Sequence, residues 1–126
     1  MEYDIFFSIS QTPDTEGHIP SEQQMLKNYF EQVKLADDLG FGVAWLAQAH
    51  LSTETQKLNK KPVVPHWQGE VGLCTDFPQL ALETFHRTSR IDIGSAVLSI
   101  LAGGGPISAA ERIANTVQLM GMSSLQ

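Results

Sequence analysis

The chain has 126 residues, 42% of them apolar, and a formal net charge of −6. That length supports one domain with a real core, and the acidic balance argues against nucleic acid or an anionic membrane as the main partner. No apolar run approaches the ~20 residues of a membrane span, the N-terminal Met1-Glu2-Tyr3-Asp4 is acidic where a secretory leader is basic, and the single Cys74 excludes an internal disulfide. The expected location is the cytoplasm.

Three strands alternate with three helices. Residues 3–8, aromatic and β-branched, read as a buried strand. A polar loop covers 10–20. Ser21 is a helix N-cap with Gln24 at capping-box spacing, and Leu26, Phe30 and Val33, flanked by Met25, Tyr29 and Ala36, form one apolar stripe ending at Gly40. Residues 42–46 form the second strand. A long loop, 48–77, carries Lys57, Lys60, Lys61 and the pair His66-Trp67. Pro78 suits the first turn of a second helix running to about Thr88. Residues 90–98 are a third strand, apolar enough to be buried on both faces. Gly103-Gly104-Gly105-Pro106 opens a third helix with the stripe Ile107, Ala110, Ile113, Ala114 and Val117.

Strand–helix alternation implies an α/β fold with a parallel sheet, either an open doubly wound sheet or a closed barrel. In both, function gathers at the C-terminal strand ends. A barrel needs eight βα units, so three units read as an incomplete fold.

Several segments, in order, resemble the bacterial luciferase-like monooxygenase family. Leu35-Ala36-Asp37-Asp38-Leu39-Gly40-Phe41-Gly42-Val43-Ala44-Trp45-Leu46-Ala47-Gln48-Ala49-His50 is similar to the family's helix end, Gly-Phe turn, Trp-bearing strand and following Glu-His-His. Arg90-Ile91-Asp92-Ile93-Gly94-Ser95-Ala96-Val97 is similar to its Arg-Ile-x-Ile-Gly-Thr-Ala-Val strand, and Pro106 with Ala109-Ala110-Glu111 to the helix after it. The resemblance implies a parallel (β/α)8 TIM-type barrel, with residues 1–126 as the N-terminal portion of that single domain. It implies a flavin-dependent monooxygenase that oxidises a small organic substrate with O2 and reduced FMN. A flavin reductase would supply that FMN in its reduced form, and the unpaired apolar edge of the third strand is expected to make the chain self-associate or form a homo-oligomer. The alternatives are an F420-dependent oxidoreductase of the same superfamily and a non-catalytic truncated product.

By the same resemblance, Ala49 stands where the luciferases carry a catalytic-base histidine, which leaves His50 as the candidate catalytic residue. Ala96 and Val97 are the candidate cofactor contacts, at the place of the family's non-proline cis peptide beside the flavin ring. The family's phosphate-binding segments have no counterpart here, so weak FMN binding and little oxygenase activity are expected of this chain alone. Gly103–Gly105 reads as a close-packing turn rather than an anion cradle. His18, His66 and His86 lack metal-ligand spacing, and Cys74 has no basic neighbour, so no metal site and no nucleophile are assigned. Ser8 and Ser10, at the end of the first strand, are placed toward substrate by fold analogy alone.

Overall fold

The computed structural model describes residues 2–11, 14–50 and 74–123. The element order is β1 (Ile5–Phe7), α1 (Glu22–Leu39), β2 (Val43–Ala47), α2 (Phe77–Arg87), β3 (Asp92–Val97) and α3 (Pro106–Ser123). The lysines of the second loop and His66-Trp67 lie outside the described residues.

The protein is α/β, with one three-stranded parallel sheet in the order β1-β2-β3. This order excludes the arrangement in which the first strand lies between the other two. Phe6, Trp45 and Gly94 form one row across the sheet. Phe7, Leu46 and Ser95 form the next row, on the opposite face because side chains alternate along a strand. Ala44 and Leu46, both fully buried, meet Tyr29, Val33 and Ala36 of α1 in the core, which Phe7, Ile9, Cys74 and Ile91 complete. On the other face Phe6 is 59% exposed and Trp45 38%.

Helix α1 starts and stops where its sequence signals stand. Ser21 Oγ accepts from Gln24 N–H at 3.2 Å, and Gly40 ends the helix in the left-handed conformation at φ 83°. The capping box is only half made, since the Gln24 side-chain amide donates to Asn28 Oδ1 at 2.7 Å. Helix α2 begins one residue before Pro78, with Asp76 as its N-cap. It packs against both α1 and α3. Two hydroxyls join α1 to α2 inside the core. Thr84 Oγ1 donates to Leu80 O at 2.7 Å, so the Tyr29 hydroxyl, 2.7 Å away, donates to Thr84.

The Asp37 carboxylate, at the last turn of α1, ties that helix to the start of β3. Its Oδ2 accepts from Ser89 N–H at 2.8 Å, and its Oδ1 from Arg90 N–H at 2.9 Å and Ile91 N–H at 2.8 Å. Arg90 Nη2 donates back to Asp37 O at 2.6 Å.

Three expectations fail in the third βα unit. Strand β3 is not buried on both faces; Asp92, Ala96 and Val97 are exposed, because β3 is a sheet edge among the described residues. The stripe on α3 does not face the core either. Ile107 is 75% exposed and Val117 61%, whereas Ser108, Arg112, Thr116 and Met120, spaced by four, are the half-buried row. Two rows on α3 have helical period, and the more polar one lies toward α2, where Arg112 pairs with Asp76. Finally, every peptide among the described residues is trans, so the Ala96–Val97 bond is not cis. Leu46 is opposite Ser95 while Ala47 is opposite Val97, so the irregularity takes the form of a β-bulge at Ala96. A cis bond costs ~3 kcal/mol and persists only where packing over-determines it, and these two exposed residues lack that packing.

Candidate functional site

The strand ends bring the segment 48–50 beside the end of β3, because Ala47, the last residue of β2, is paired with Val97. The extra residue at Ala96 puts the bulge at that junction, and bulges recur where a sheet edge re-aims side chains at a site. Val97 is 53% exposed.

Gln48 is buried and His50 half-buried, and the two are in contact. The segment is anchored from the far side of the second loop. Ala49 N–H donates to Cys74 O at 3.0 Å, and Gln48 Oε1 accepts from Phe77 N–H, at the start of α2, at 2.9 Å. The other end of the Gln48 amide is 2.6 Å from His50 Nε2. A first-turn backbone N–H has no partner within its own helix, so Gln48 satisfies a donor that would otherwise be orphaned.

Asp76 lies two residues beyond Cys74. Its Oδ1 caps α2 through Gln79 N–H at 3.3 Å, and its Oδ2 takes the guanidinium of Arg112 from α3. Gln48, Pro78, Ser99, Gly103 and Arg112 line one small cleft, of which His50, Ala96 and Val97 are not part. Gln48, Asp76 and Arg112 join this region without having been marked as site residues by the sequence. Only the N-cap role of Asp76, immediately before Phe77-Pro78, had a signal in the sequence.

The glycine turn is closed on itself. Gly103 N–H donates to Ser99 O, Gly104 N–H to Leu101 O and Gly105 N–H to Ile100 O. Those groups are therefore spent within the turn and not offered to an anion. Gly104 and Gly105 both have φ 93°, which accounts for glycine at these positions.

At the end of β1, Ser8 and Ser10 hydroxyls are 3.4 Å apart, flanking Ile9 at φ 37°. A β-branched residue at positive φ is strained, and burial to 6% exposure is what retains it. Nothing in the sequence signals this strain. Ser95 Oγ is buried without a hydrogen-bond partner among the described residues, but its row places it with Leu46, on the face opposite Trp45.

The remaining candidates are inert. Burial pushes the Cys74 thiol up to about 11, which keeps it protonated at neutral pH. His18 is exposed beside Asp14 and Glu16, and His86 is exposed on α2. Among the described residues no cluster of His, Cys, Asp and Glu has the arrangement of a metal site, and no helix is long and apolar enough to cross a membrane. No family model matches the chain, and no curated protein matches it.

Proposed function

We propose that the chain forms the first βα units of a (β/α)8 barrel of the luciferase-like kind and contributes one wall of a flavin site to a monooxygenase acting on a small organic substrate. The observation that carries this reading is the pairing of Ala47 with Val97, which sets the strand end delivering His50 next to the strand end carrying Ala96 and Val97. The loop after β1 supports a barrel over a dinucleotide-binding sheet, since residues 8–16 contain no glycine and no G-x-G-x-x-G fingerprint.

Among the described residues, Ala96, Val97 and His50 fit the ring of a flavin, and the glycine turn offers nothing to its phosphate. Ala96 and Val97 are small, apolar and exposed at the strand end, suited to lie against an aromatic plane and exclude water. The amide groups of Gly103, Gly104 and Gly105 are taken within their own turn. When bound, reduced FMN would supply the electrons with which O2 is activated. Val97 and Ala96 would hold the ring, and His50 would contact the ligand's polar edge through an imidazole N–H.

Titration of the chain with FMN and with riboflavin, followed by flavin fluorescence, tests this. The expected constants are similar for the two ligands and weak, ~1 mM or somewhat tighter, with Val97→Glu abolishing binding. Absence of saturable binding at millimolar flavin, or binding indifferent to Val97→Glu, overturns the proposal.

A further inference from the structure

We propose that Gln48 is a positioning residue that fixes His50 as the tautomer with its proton on Nδ1, so that His50 meets a bound ligand as a hydrogen-bond donor and not as a base through Nε2. The tautomer follows from this chain's geometry alone, while its role toward a ligand rests on the flavin-site reading above.

Which end of the Gln48 amide can face which partner decides the tautomer. Phe77 N–H is a donor, so the Gln48 atom 2.9 Å from it must be an acceptor, which in an amide is the carbonyl oxygen Oε1. That leaves the NH2 group toward His50 Nε2, 2.6 Å away. An NH2 group only donates, so Nε2 must present its lone pair, and a neutral ring with a lone pair on Nε2 carries its proton on Nδ1. Exchanging the two ends of the amide does not offer an alternative. It would set the NH2 group against Phe77 N–H, two donors facing each other at the first turn of a helix, where the backbone group has no internal partner. The fold therefore reads out as a relay: the start of α2 orients Gln48, and Gln48 orients the ring.

With Nε2 engaged, the ring's remaining polar atom is Nδ1–H, so a ligand atom meeting it must be an acceptor, such as a carbonyl or imine nitrogen. A glutamate at position 48 would act in the opposite sense. A carboxylate accepts at both oxygens, so it would take Phe77 N–H with one and an Nε2–H from His50 with the other.

The test is 15N NMR of the imidazole nitrogens in the flavin-free chain at about pH 8, above the ordinary imidazole range. His50→Asn assigns the His50 signals by removing them. The expected pattern is a pyrrole-type shift at Nδ1 and a pyridine-type shift at Nε2. Gln48→Glu, which keeps an acceptor for Phe77, is expected to reverse it. A wild-type ring that is Nε2-protonated or averaged between tautomers overturns the proposal, and so does a folded Gln48→Glu variant with the wild-type pattern. If that variant does not fold, the wild-type pattern alone decides. Since no flavin is present, failure here leaves the flavin titration untouched, and failure of that titration leaves the tautomer untouched.

Discussion

Trp45 occupies the space that a side chain on Gly94 would need. The two are cross-strand neighbours in the β2–β3 register, and a Cβ on Gly94 would stand 2.5 Å from both Cε3 and Cζ3 of the indole. The ring is held in place at its other side, where Nε1–H donates to Asp4 Oδ2 at 3.0 Å while Asp4 Oδ1 accepts from Val43 N–H at 3.1 Å. The indole therefore has little freedom to retreat. Gly94→Ala is expected to destabilise the fold by ~1–3 kcal/mol, the range for overpacking, because the hydrogen-bonded indole must shift to admit the methyl. A urea melt measures this, and the near-ultraviolet circular dichroism of Trp45 in a Trp67→Phe background reports displacement of the ring. A variant as stable as the parent, with an unchanged spectrum, would show that the indole moves aside freely.

Asp37 carries a pH signature of known sign. Burial raises its pKa, but hydrogen bonds from Ser89, Ile91 and Arg90 N–H and the nearby Arg90 charge outweigh this and hold the carboxyl below its ordinary value of 3.8. A carboxyl depressed in the folded state contributes stability that is present above the unfolded pKa and lost as pH falls through the folded one. Asp37→Asn is expected to cost ~2–3 kcal/mol at neutral pH, because an amide turns an NH2 group toward at least one of three backbone donors. It should also flatten the fall in stability below pH 3.8. Chemical denaturation of both proteins across the acid range checks this, and parallel curves would remove Asp37 from the account.

Order and boundaries were legible in the sequence where one residue decides a local geometry. Ser21 and Gly40 bracket α1 because each acts within its own turn. Legibility ended where the deciding partner is distant in sequence. Helix α3 has two rows with helical period, and the one that packs on α2 includes Arg112, whose partner Asp76 is 36 residues away. The bulge at Ala96 depends on the register with β2. His50 could be marked from its place after a strand, but the state of its ring depends on Phe77, outside any local motif.

The hydroxyl pair inside the α1–α2 contact should respond unequally to its two deletions. Tyr29→Phe leaves Thr84 still donating to Leu80 O, so the expected loss is ~1 kcal/mol. Thr84→Val strands the buried Tyr29 hydroxyl without its acceptor and should cost ~2–3 kcal/mol. Thermal or urea unfolding of the two variants gives the order directly, and equal losses would contradict the donor directions assigned here.

Tyr29 also sets a limit on alkaline stability. Burial, the largest influence on it, pushes its phenol up to about 12. A raised folded-state pKa means the contribution is complete below the unfolded value of 10.0 and is lost as pH rises through the folded one. Tyr29→Phe should therefore lose less stability than the parent between pH 10 and about 12. Ultraviolet titration of the phenolate against a Tyr3→Phe background reports the ionisation itself, and a midpoint near that of free tyrosine would show that Tyr29 is not sealed in the core.

Asp76 combines a helix cap and an ion pair in one carboxylate, and the two uses can be separated by charge. Its Oδ1 accepts from Gln79 N–H, an N-cap bond that an asparagine can also make. Its Oδ2 takes Arg112, whose side chain is 38% exposed, so solvent screens the pair and it is worth about 1 kcal/mol or less. Asp76→Asn should therefore lose only that ion-pair increment, and the loss should shrink with added salt. Asp76→Ala removes the cap as well and should cost about 1 kcal/mol more, an increment that salt does not change. Arg112→Met retains the length of the side chain and deletes the charge, so combining it with Asp76→Asn should be no worse than either change alone. Urea titrations at low and high salt on the three single variants and the double variant measure both terms. A salt-independent Asp76→Asn loss, or full additivity with Arg112→Met, would mean that α3 is held against α2 by packing of Thr116 and Met120 rather than by the charge pair that orients Arg112.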